Sequence, residues 1–281
     1  MDPHHRSQKP GGGFGKGRLF LAALLAVASL ATYYGSHEEN PVTGEAPSAV
    51  LSPRQEIALG LQAAPRMAQR YGGLLPDRAT QDRVDEICTA IVTRTAARAT
   101  PYEFECHVLA DEQTVNAFAL PGGQVFLTAG LLKRLGTEGQ LAGVLSHQIG
   151  HVVARHGAEH LAEARLPEGL TGAEVLATYD PDDPASRNSA AVAALLGQMV
   201  DMRFSREEEL ESDRLAVRFM AGAGYDPRSL VEAMRVLERA GGGSGRPELR
   251  STHPGPDRRA ERIEAAIQET YPQGVPAGLK S

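Results

Sequence analysis

The sequence predicts an α+β fold that is mostly helical and contains one small β-sheet. Beyond residue 52, apolar residues recur mainly at three- and four-residue steps, the period of amphipathic helices. Strand-like segments and a Pro-Gly-Gly turn are confined to residues 102–128. With 281 residues, of which 42% are hydrophobic, the chain is long enough for one large domain or two small ones.

The composition argues against nucleic-acid binding. The formal net charge is -6, Trp is absent and aromatic residues make up 5% of the chain, so no nucleic-acid partner is expected. Two cysteines, Cys88 and Cys106, are too few for a disulfide scaffold or a Cys-based zinc site. They are expected either to form a single bridge in an oxidising compartment or to remain buried free thiols.

The N-terminal region is expected to lie outside the folded domain. Residues 1–18 are basic and Gly-rich and are predicted to be disordered. Residues 19–34 form an uncharged apolar run between basic and acidic flanks, which predicts export as an uncleaved signal-anchor or a cleaved signal peptide. A linker is expected at residues 35–51, the domain at 52–271 and a short tail at 272–281.

Two helices are expected before the sheet. Ser52 suits an N-cap and Pro53 a first helical turn, so the first helix begins there and ends at Gly72. Its apolar residues predict an inner face of Ile57, Leu61, Ala64 and Met67. The elements expected next are a helix from about Thr80 to Ala97, a strand at Tyr102–Leu109, a hairpin of Ala117–Leu120 and Gln124–Thr128, and a short helix near Leu131–Leu135.

A central helix is expected to follow the sheet. Thr137 and Gln140 predict a capping box at its start, and the apolar period continues to about Ala164. Residues 166–187 are rich in Pro, Asp and Gly and predict a long loop that covers a neighbouring surface. Further helices are expected at 190–200, from Ser205 with Glu208 as capping partner to Gly222, from Asp226 to about Ala240, and at 257–270.

The central helix carries His147 and His151. Residues four apart on a helix lie within about 40° of each other, so both imidazoles can point at one metal ion. This pair is the metal-binding half of the zinc motif His-Glu-x-x-His. The second position is Gln148, so the group that would accept a proton is replaced by an amide. His156 and His160 are expected to face away from the metal, with His156 at the surface.

A third metal ligand is expected from the acidic helix that follows Ser205. Glu209 and Asp213 share one helix face. The pattern favours Glu209 as the ligand and Asp213 as a hydrogen-bond acceptor that orients a ligand histidine. The alternative is that these acidic residues form a solvated helix face.

Four motifs resemble the HtpX-type zinc metallopeptidases, whose relatives include the CAAX prenyl proteases, the mitochondrial protease Oma, and the periplasmic proteases LoiP and BepA. The motifs are NAFALPGG at 116–123, HQIGH at 147–151, ELESD at 209–213 and STHP at 251–254. The resemblance covers roughly residues 50–270. It implies a zincin-like domain with its small sheet bordering the active-site cleft, a Zn²⁺ cofactor and polypeptide substrates.

The resemblance also assigns roles to individual residues. His147, His151 and Glu209 take the metal-ligand positions, and Asp213 orients a ligand. The segment Asn116, Ala117, Phe118 and Ala119 would be an edge strand that pairs with extended substrate. The same segment is equally compatible with an ordinary core hairpin. His253 would fill a fourth metal position or contact substrate, unless it is only a structural turn residue.

The implied function is a metalloendopeptidase of envelope quality control that degrades misfolded exported proteins. It would be anchored in the bacterial inner membrane with the domain in the periplasm, or free in the periplasm if residues 19–34 are cleaved. In this family the glutamate at the position of Gln148 accepts a proton from the attacking water, which Gln cannot do. Loss of a general base removes about 10²–10⁴ in rate.

Gln148 leaves several interpretations open. It is either an introduced substitution in an active protease or natural, which would make the chain a pseudoprotease. The alternative function is therefore a non-catalytic zinc-binding protein that acts as a chaperone-like binder or a regulator. A helical periplasmic domain with structural His and Glu residues is a third interpretation.

Overall fold

The computed structural model describes residues 40–44, 51–166, 169–199, 202–240, 253 and 258–281. The apolar segment at residues 19–34 lies outside the described residues, so its predicted role as an anchor or signal peptide stays a prediction. Within the described ranges, no helix is long and apolar enough to cross a membrane.

The described residues confirm the predicted mostly helical α+β fold with one small sheet. Three strands, β1 (Glu105–Leu109), β2 (Ala117–Ala119) and β3 (Gln124–Thr128), lie in the order β1-β3-β2. The helices are α1 (Pro53–Arg70), α2 (Arg78–Arg94), α3 (Ala129–Leu132), α4 (Glu138–Val153), α5 (His156–Glu163), α6 (Gly172–Ala177), α7 (Pro184–Arg187), α8 (Ala190–Gln198), α9 (Arg206–Ala223), α10 (Arg228–Ala240) and α11 (Arg259–Thr270), with a 3₁₀ turn at Ala96–Ala99.

The sheet contains the predicted hairpin. β2 pairs antiparallel with β3, with Phe118 opposite Phe126, and β1 pairs parallel with β3. The hairpin turn needs Gly122, whose φ is 84°, because a Cβ there would lie 2.4 Å from the Cα of Ile57. The turn therefore packs closely against α1.

Two hydrophobic cores form on opposite faces of the sheet. Successive side chains of β3 point to opposite faces, so Val125 and Leu127 join one core and Phe126 joins the other. The first core includes residues of α2, α4, α9, α10 and α11, and the second includes residues of α1, α5, α6 and α8. A disulfide between Cys88 and Cys106 joins α2 to β1, which decides between the bridged and free-thiol alternatives.

The predicted inner face of α1 is wrong at Leu61, which is 52% exposed. The helix instead buries Glu56, Leu59, Gly60, Ala63 and Met67. Two contacts outside the helix set this rotation. Arg155 pairs with Glu56, and a Cβ on Gly60 would lie 2.0 Å from the carbonyl oxygen of Pro121.

The prediction of one continuous central helix to Ala164 is also wrong. α4 ends at Val153 and α5 begins at His156, because Arg155 adopts the left-handed conformation with φ of 65°. The Arg155 guanidinium is held by the Glu56 carboxylate and the Leu51 carbonyl. Asn40 Nδ2 donates to the Val153 carbonyl at 2.6 Å. The Arg155 contacts hold the break in place from outside the helix.

The loop predicted at residues 166–187 contains the short helices α6 and α7. Thr171 and Glu174 form a capping box at the start of α6, and Val175 and Leu176 are buried in the second core. Gln55 of α1 donates to the carbonyls of Leu176 and Tyr179, which ties this segment to α1.

Candidate metal centre

The candidate site lies where α9 packs along α4, and Gly150 makes this close approach possible. A Cβ on Gly150 would lie 2.7 Å from the hydroxyl oxygen of Ser212. That hydroxyl donates to the carbonyl of His147. The contact places Glu209 and Asp213, one turn apart on α9, against the two histidines of α4.

The structure brings together His147, His151, Glu209 and His253, all of them buried. One ligand atom from each lies within 4.8 Å of the others. His147 Nε2 is 3.1 Å from His151 Nε2 and 3.4 Å from His253 Nδ1. The Glu209 oxygens lie 3.5 Å from both Nε2 atoms and 2.7 Å from His253 Nδ1.

The separations of 3.1–3.5 Å among His147, His151 and Glu209 are close to the donor spacing of tetrahedral zinc, whereas the 2.7 Å contact between His253 and Glu209 is a hydrogen-bond distance. Metal–nitrogen bonds of 2.0–2.1 Å imply ligand atoms about 3.3 Å apart. Three imidazoles and one carboxylate are also donor types that zinc prefers. The residues present therefore fit the ion that the resemblance implies.

A buried ion-pair network supports two of these side chains. Asp213 Oδ1 lies 2.9 Å from His147 Nδ1, which favours the hydrogen on Nδ1 and the lone pair on Nε2, and Arg259 Nη2 lies 3.2 Å from both nitrogens of this ring. Arg259 of α11 donates to both Asp213 oxygens at 2.9 and 2.8 Å, and its Nη1 forms an ion pair with Glu209 Oε2 at 2.8 Å. Sequence reasoning missed Arg259, because no local motif distinguishes it from the exposed Arg258 beside it.

The electrostatics of the site favour a cation. Burial and the nearby Arg259 lower the pKa of His147, and burial lowers the pKa of His151 well below its usual range, so both imidazoles are neutral near pH 7. Burial raises the pKa of Glu209 and of Asp213. The pKa of Glu209 is nevertheless held well below its usual range by His253 and His151, and that of Asp213 is lowered by Arg259 and His147. The two carboxylates, Glu209 and Asp213, outnumber the single guanidinium of Arg259 that pairs with them.

Gln148 lies at the edge of this donor set. Its side chain is buried, and its Nε2 is 3.3 Å from His253 Nε2. Its Oε1 is buried and has no hydrogen-bond partner among the residues that the structure describes. A ligand bound beside the four donor atoms could donate a hydrogen bond to this unpaired amide oxygen.

An apolar cleft adjoins His253 and runs along β2. Its lining residues are Asn116, Phe118, Ala119, Leu120, Pro121, Met199, Met202, Phe204 and His253. The backbone N–H and C=O groups of Ala117 and Ala119 point away from β3, since the hydrogen-bonded pairs of the hairpin are 116/128, 118/126 and 120/124. Over the described residues these outward groups have no hydrogen-bond partner.

Most outward backbone groups at the opposite edge of the sheet have partners. Gln81 of α2 donates to the Cys106 carbonyl at 2.7 Å and accepts from the Val108 N–H at 3.0 Å. Leu75 N–H donates to the Val108 carbonyl at 2.8 Å. The β2 edge, the one beside the donor atoms, is therefore the more open of the two edges within the described sheet.

Residues 78–267 match the sequence profile of peptidase family M48. The chain belongs to peptidase family M48. This confirms the resemblance to the HtpX, Oma and BepA type of enzyme, and zinc is the cofactor of this metallopeptidase family.

Several curated proteins share this M48 region. The chain is 28% identical over 267 residues to the beta-barrel assembly-enhancing protease of Escherichia coli (strain K12), which covers 91% of this chain and 53% of that protein. It is 30% identical over 242 residues to the putative beta-barrel assembly-enhancing protease of Vibrio cholerae, and the alignment covers 83% of this chain and 48% of that protein. It is 34% identical over 168 residues to the mitochondrial metalloendopeptidase OMA1 of Schizosaccharomyces pombe, and the alignment covers 59% of this chain and 48% of that protein. The chain spans about half the length of the curated relatives it matches.

His156 is the other residue of this M48 site that sequence reasoning misplaced. It was expected at the surface, but it is 3% exposed and its Nδ1 lies 2.9 Å from His151 Nδ1. The helix break at Arg155 turns it back toward α4.

Two other side chains lie near these histidines. His160 pairs with Glu208. Phe204 stacks on the His151 ring, with ring centroids 3.9 Å apart. No sequence pattern indicated the position of Phe204.

Proposed function

We propose that this M48 protein is a zinc metalloendopeptidase-type protein of envelope quality control whose peptide hydrolysis is impaired by Gln148. The observation that carries the proposal is a buried four-donor cluster beside an open sheet edge, with an amide where a proton acceptor is needed. The names of the relatives from Escherichia coli and Vibrio cholerae support envelope proteins as substrates. Misfolded exported proteins in the periplasm are the proposed targets, with residues 19–34 acting as a membrane anchor or a cleaved signal.

The proposed ligands are His147, His151 and Glu209, with Asp213 orienting His147. The neutral imidazoles, the charged Glu209 and the excess of carboxylates over guanidinium groups support this assignment. Zinc held there would polarise a peptide carbonyl and lower the pKa of bound water. The protein contributes fixed donor positions, a buried setting and a neighbouring cleft.

We assign substrate binding to β2 and its flank, residues 116–119. The outward N–H and C=O groups of Ala117 and Ala119 can pair with an extended polypeptide, which gives affinity without strong sequence preference. The small cleft next to this strand is lined mostly by apolar side chains, which would contact apolar residues of a bound polypeptide at its surface. This combination favours unfolded segments over folded substrates.

Gln148 limits the chemistry. Its amide oxygen can accept a hydrogen bond from water, but an amide cannot take up a proton at neutral pH. The zinc contribution and the substrate contacts are unaffected by this change. Binding is therefore expected to persist while hydrolysis falls by about 10²–10⁴.

His253 is proposed as a fourth ligand that closes the site. Its Nδ1 lies 3.4 Å from His147 Nε2 and 2.7 Å from Glu209 Oε1, within the donor cluster. A ligand there takes the coordination position that catalytic zinc sites keep open for water or substrate. This contact and Gln148 both favour the alternative function, a zinc-loaded binding protein or regulator without turnover.

The deciding experiment compares cleavage of unfolded casein by the zinc-loaded full chain and by Gln148→Glu. The Glu variant is expected to cleave about 10²–10⁴ faster, while Gln148→Ala, the control, binds zinc but stays inactive. Equal cleavage by the Gln and Glu forms would show that another residue handles the proton. If neither form cleaves, adding His253→Ala to the Glu variant separates a blocked protease from a binding protein, since only the blocked protease gains activity.

A further inference from the structure

We infer that His156 and Glu211 form a hydrogen-bonded chain that positions His151 and strengthens metal binding. The inference rests on the zinc site proposed above and assigns a role to two residues outside the donor cluster. His156 and Glu211 are positioning residues, since neither one contacts the reacting atoms.

The geometry places the chain on the far side of the His151 ring. His151 Nε2 faces the donors, 3.1 Å from His147 Nε2 and 3.5 Å from Glu209. Its other nitrogen, Nδ1, lies 2.9 Å from His156 Nδ1. His156 Nε2 in turn lies 3.1 Å from Glu211 Oε2. The three side chains thus lead from the donor cluster to a partly exposed carboxylate.

Metal ligation fixes the direction of every hydrogen bond in this chain. A neutral His151 that binds through the Nε2 lone pair carries its hydrogen on Nδ1 and must donate from there. His156 Nδ1 is then the acceptor, so the His156 hydrogen sits on Nε2 and donates to Glu211. The arrangement holds one tautomer of each imidazole, and it is the tautomer that a metal at His151 Nε2 requires.

Two independent features of the fold place the members of this chain. The left-handed Arg155 breaks the helix and turns His156 toward α4. On α9, Glu211 lies about 200° around the helix from Glu209, so one helix supplies a donor on one face and the chain's carboxylate on another. Phe204 stacks on His151 with an interplanar angle of 21°, which further restricts the ring.

Each ligand histidine therefore has its own support. His147 is oriented by Asp213, a buried carboxylate that Arg259 also holds. His151 is oriented by the His156 imidazole, which is backed by the Glu211 carboxylate. Loss of such a supporting hydrogen bond weakens metal affinity by about 10–100-fold in other metal sites.

The test measures the zinc dissociation constant of the full chain by competition with a chromogenic chelator. His156→Leu removes the acceptor and is expected to weaken zinc binding by about 10–100-fold. His156→Asn is the matched rescue, because its Oδ1 can accept from His151 Nδ1 in place of the imidazole, and it should stay within about threefold of the unaltered chain. His160→Leu is the control, since His160 pairs with Glu208 and contacts no donor.

Three outcomes overturn the inference or its basis. Unchanged affinity of His156→Leu, or equal weakening by Leu and Asn, would show that His156 does not act through its acceptor atom. Failure of the unaltered chain to bind one zinc would overturn the proposed site itself, which is a different result. Melting temperatures measured in chelator identify any variant that loses affinity through misfolding, and the Asn variant keeps the test decisive if Leu misfolds.

Discussion

At the scale of single residues, Arg259 holds two buried carboxylates in their charged form. Its guanidinium contacts both oxygens of Asp213 and one oxygen of Glu209, and all three side chains are nearly inaccessible to solvent. Buried carboxylates without such a partner would be protonated or would destabilise the fold. Arg259 therefore prepares the site for a cation without neutralising it.

Replacing Arg259 by Met keeps much of the side-chain bulk and removes the charge. We expect Arg259→Met to lower the unfolding free energy by about 3–5 kcal/mol in chelator, because Glu209 and Asp213 lose their counter-charge. Excess zinc should recover part of the loss, since the cation faces the same carboxylates. Urea denaturation with and without chelator measures both quantities. The exposed Arg258→Met is the matched control and should be nearly neutral; equal effects of the two substitutions would contradict this assignment.

The His160–Glu208 pair gives a prediction for pH dependence. The hydrogen bond with Glu208 raises the pKa of His160. Burial alone would raise the pKa of Glu208, but its contacts with His160 and the Ser205 backbone outweigh burial and lower this pKa to about 2. The stability contributed by His160 is complete below its ordinary pKa of 6.5 and is lost as pH rises through its raised pKa. The contribution of Glu208 is complete above its ordinary value of 4.5 and is lost as pH falls toward 2.

The difference in stability between the unaltered chain and His160→Gln should therefore be largest between about pH 4.5 and 6.5. It should shrink on either side of this window. Denaturation curves at several pH values measure it. A difference that grows steadily from pH 6.5 to 9 would show that the pair does not act as an ion pair.

At the scale of secondary-structure elements, the two sheet edges have different roles. Gln81 and Leu75 satisfy backbone groups of β1 on its outer side, which protects that edge from further pairing. The β2 edge keeps its outward groups and adjoins the cleft. One edge is thus mostly closed for stability and the other remains suited to a polypeptide.

Removing one outward donor from β2 tests this assignment. Ala119→Pro is expected to weaken binding of fluorescently labelled unfolded casein about tenfold, because a substrate carbonyl loses its N–H partner. Ala119→Ser keeps the N–H and should bind casein normally. Anisotropy titration of the unaltered, Gln148-containing chain measures affinity without turnover. Equal affinities of the Pro and Ser variants, with full zinc content in both, would exclude pairing at this position.

At the scale of the whole molecule, the donor cluster connects parts of the chain that are distant in sequence. α4 supplies His147 and His151, α9 supplies Glu209, and His253 lies 44 residues beyond Glu209. A metal ion bound by all of them acts as a cross-link that is absent from the unfolded chain. Ligand binding of this kind stabilises the native state by an amount that grows with the logarithm of the ratio of free ligand concentration to the dissociation constant.

Chelation should therefore lower the melting temperature. At a free zinc concentration of 100 times the dissociation constant, the expected gain in stability is about 2.7 kcal/mol. Differential scanning fluorimetry with and without chelator measures the shift in melting temperature. The melting temperature of His147→Ala should be the same with and without chelator. A melting temperature unchanged by chelator in the unaltered chain would argue against a stoichiometric metal.

The sequence by itself determined the elements and the donors on single helices. Helical periods, Ser N-caps and the Pro-Gly-Gly turn predicted most helices and the hairpin, because these signals are local. The four-residue spacings of His147 with His151 and of Glu209 with Asp213 predicted shared faces for the same reason. Only the tertiary structure decided the course of α4 beyond Val153, since Arg155 is held in its left-handed conformation by Glu56, 99 residues away. The same limit hid Arg259 and His156, whose roles depend on contacts between elements and leave no period in the sequence.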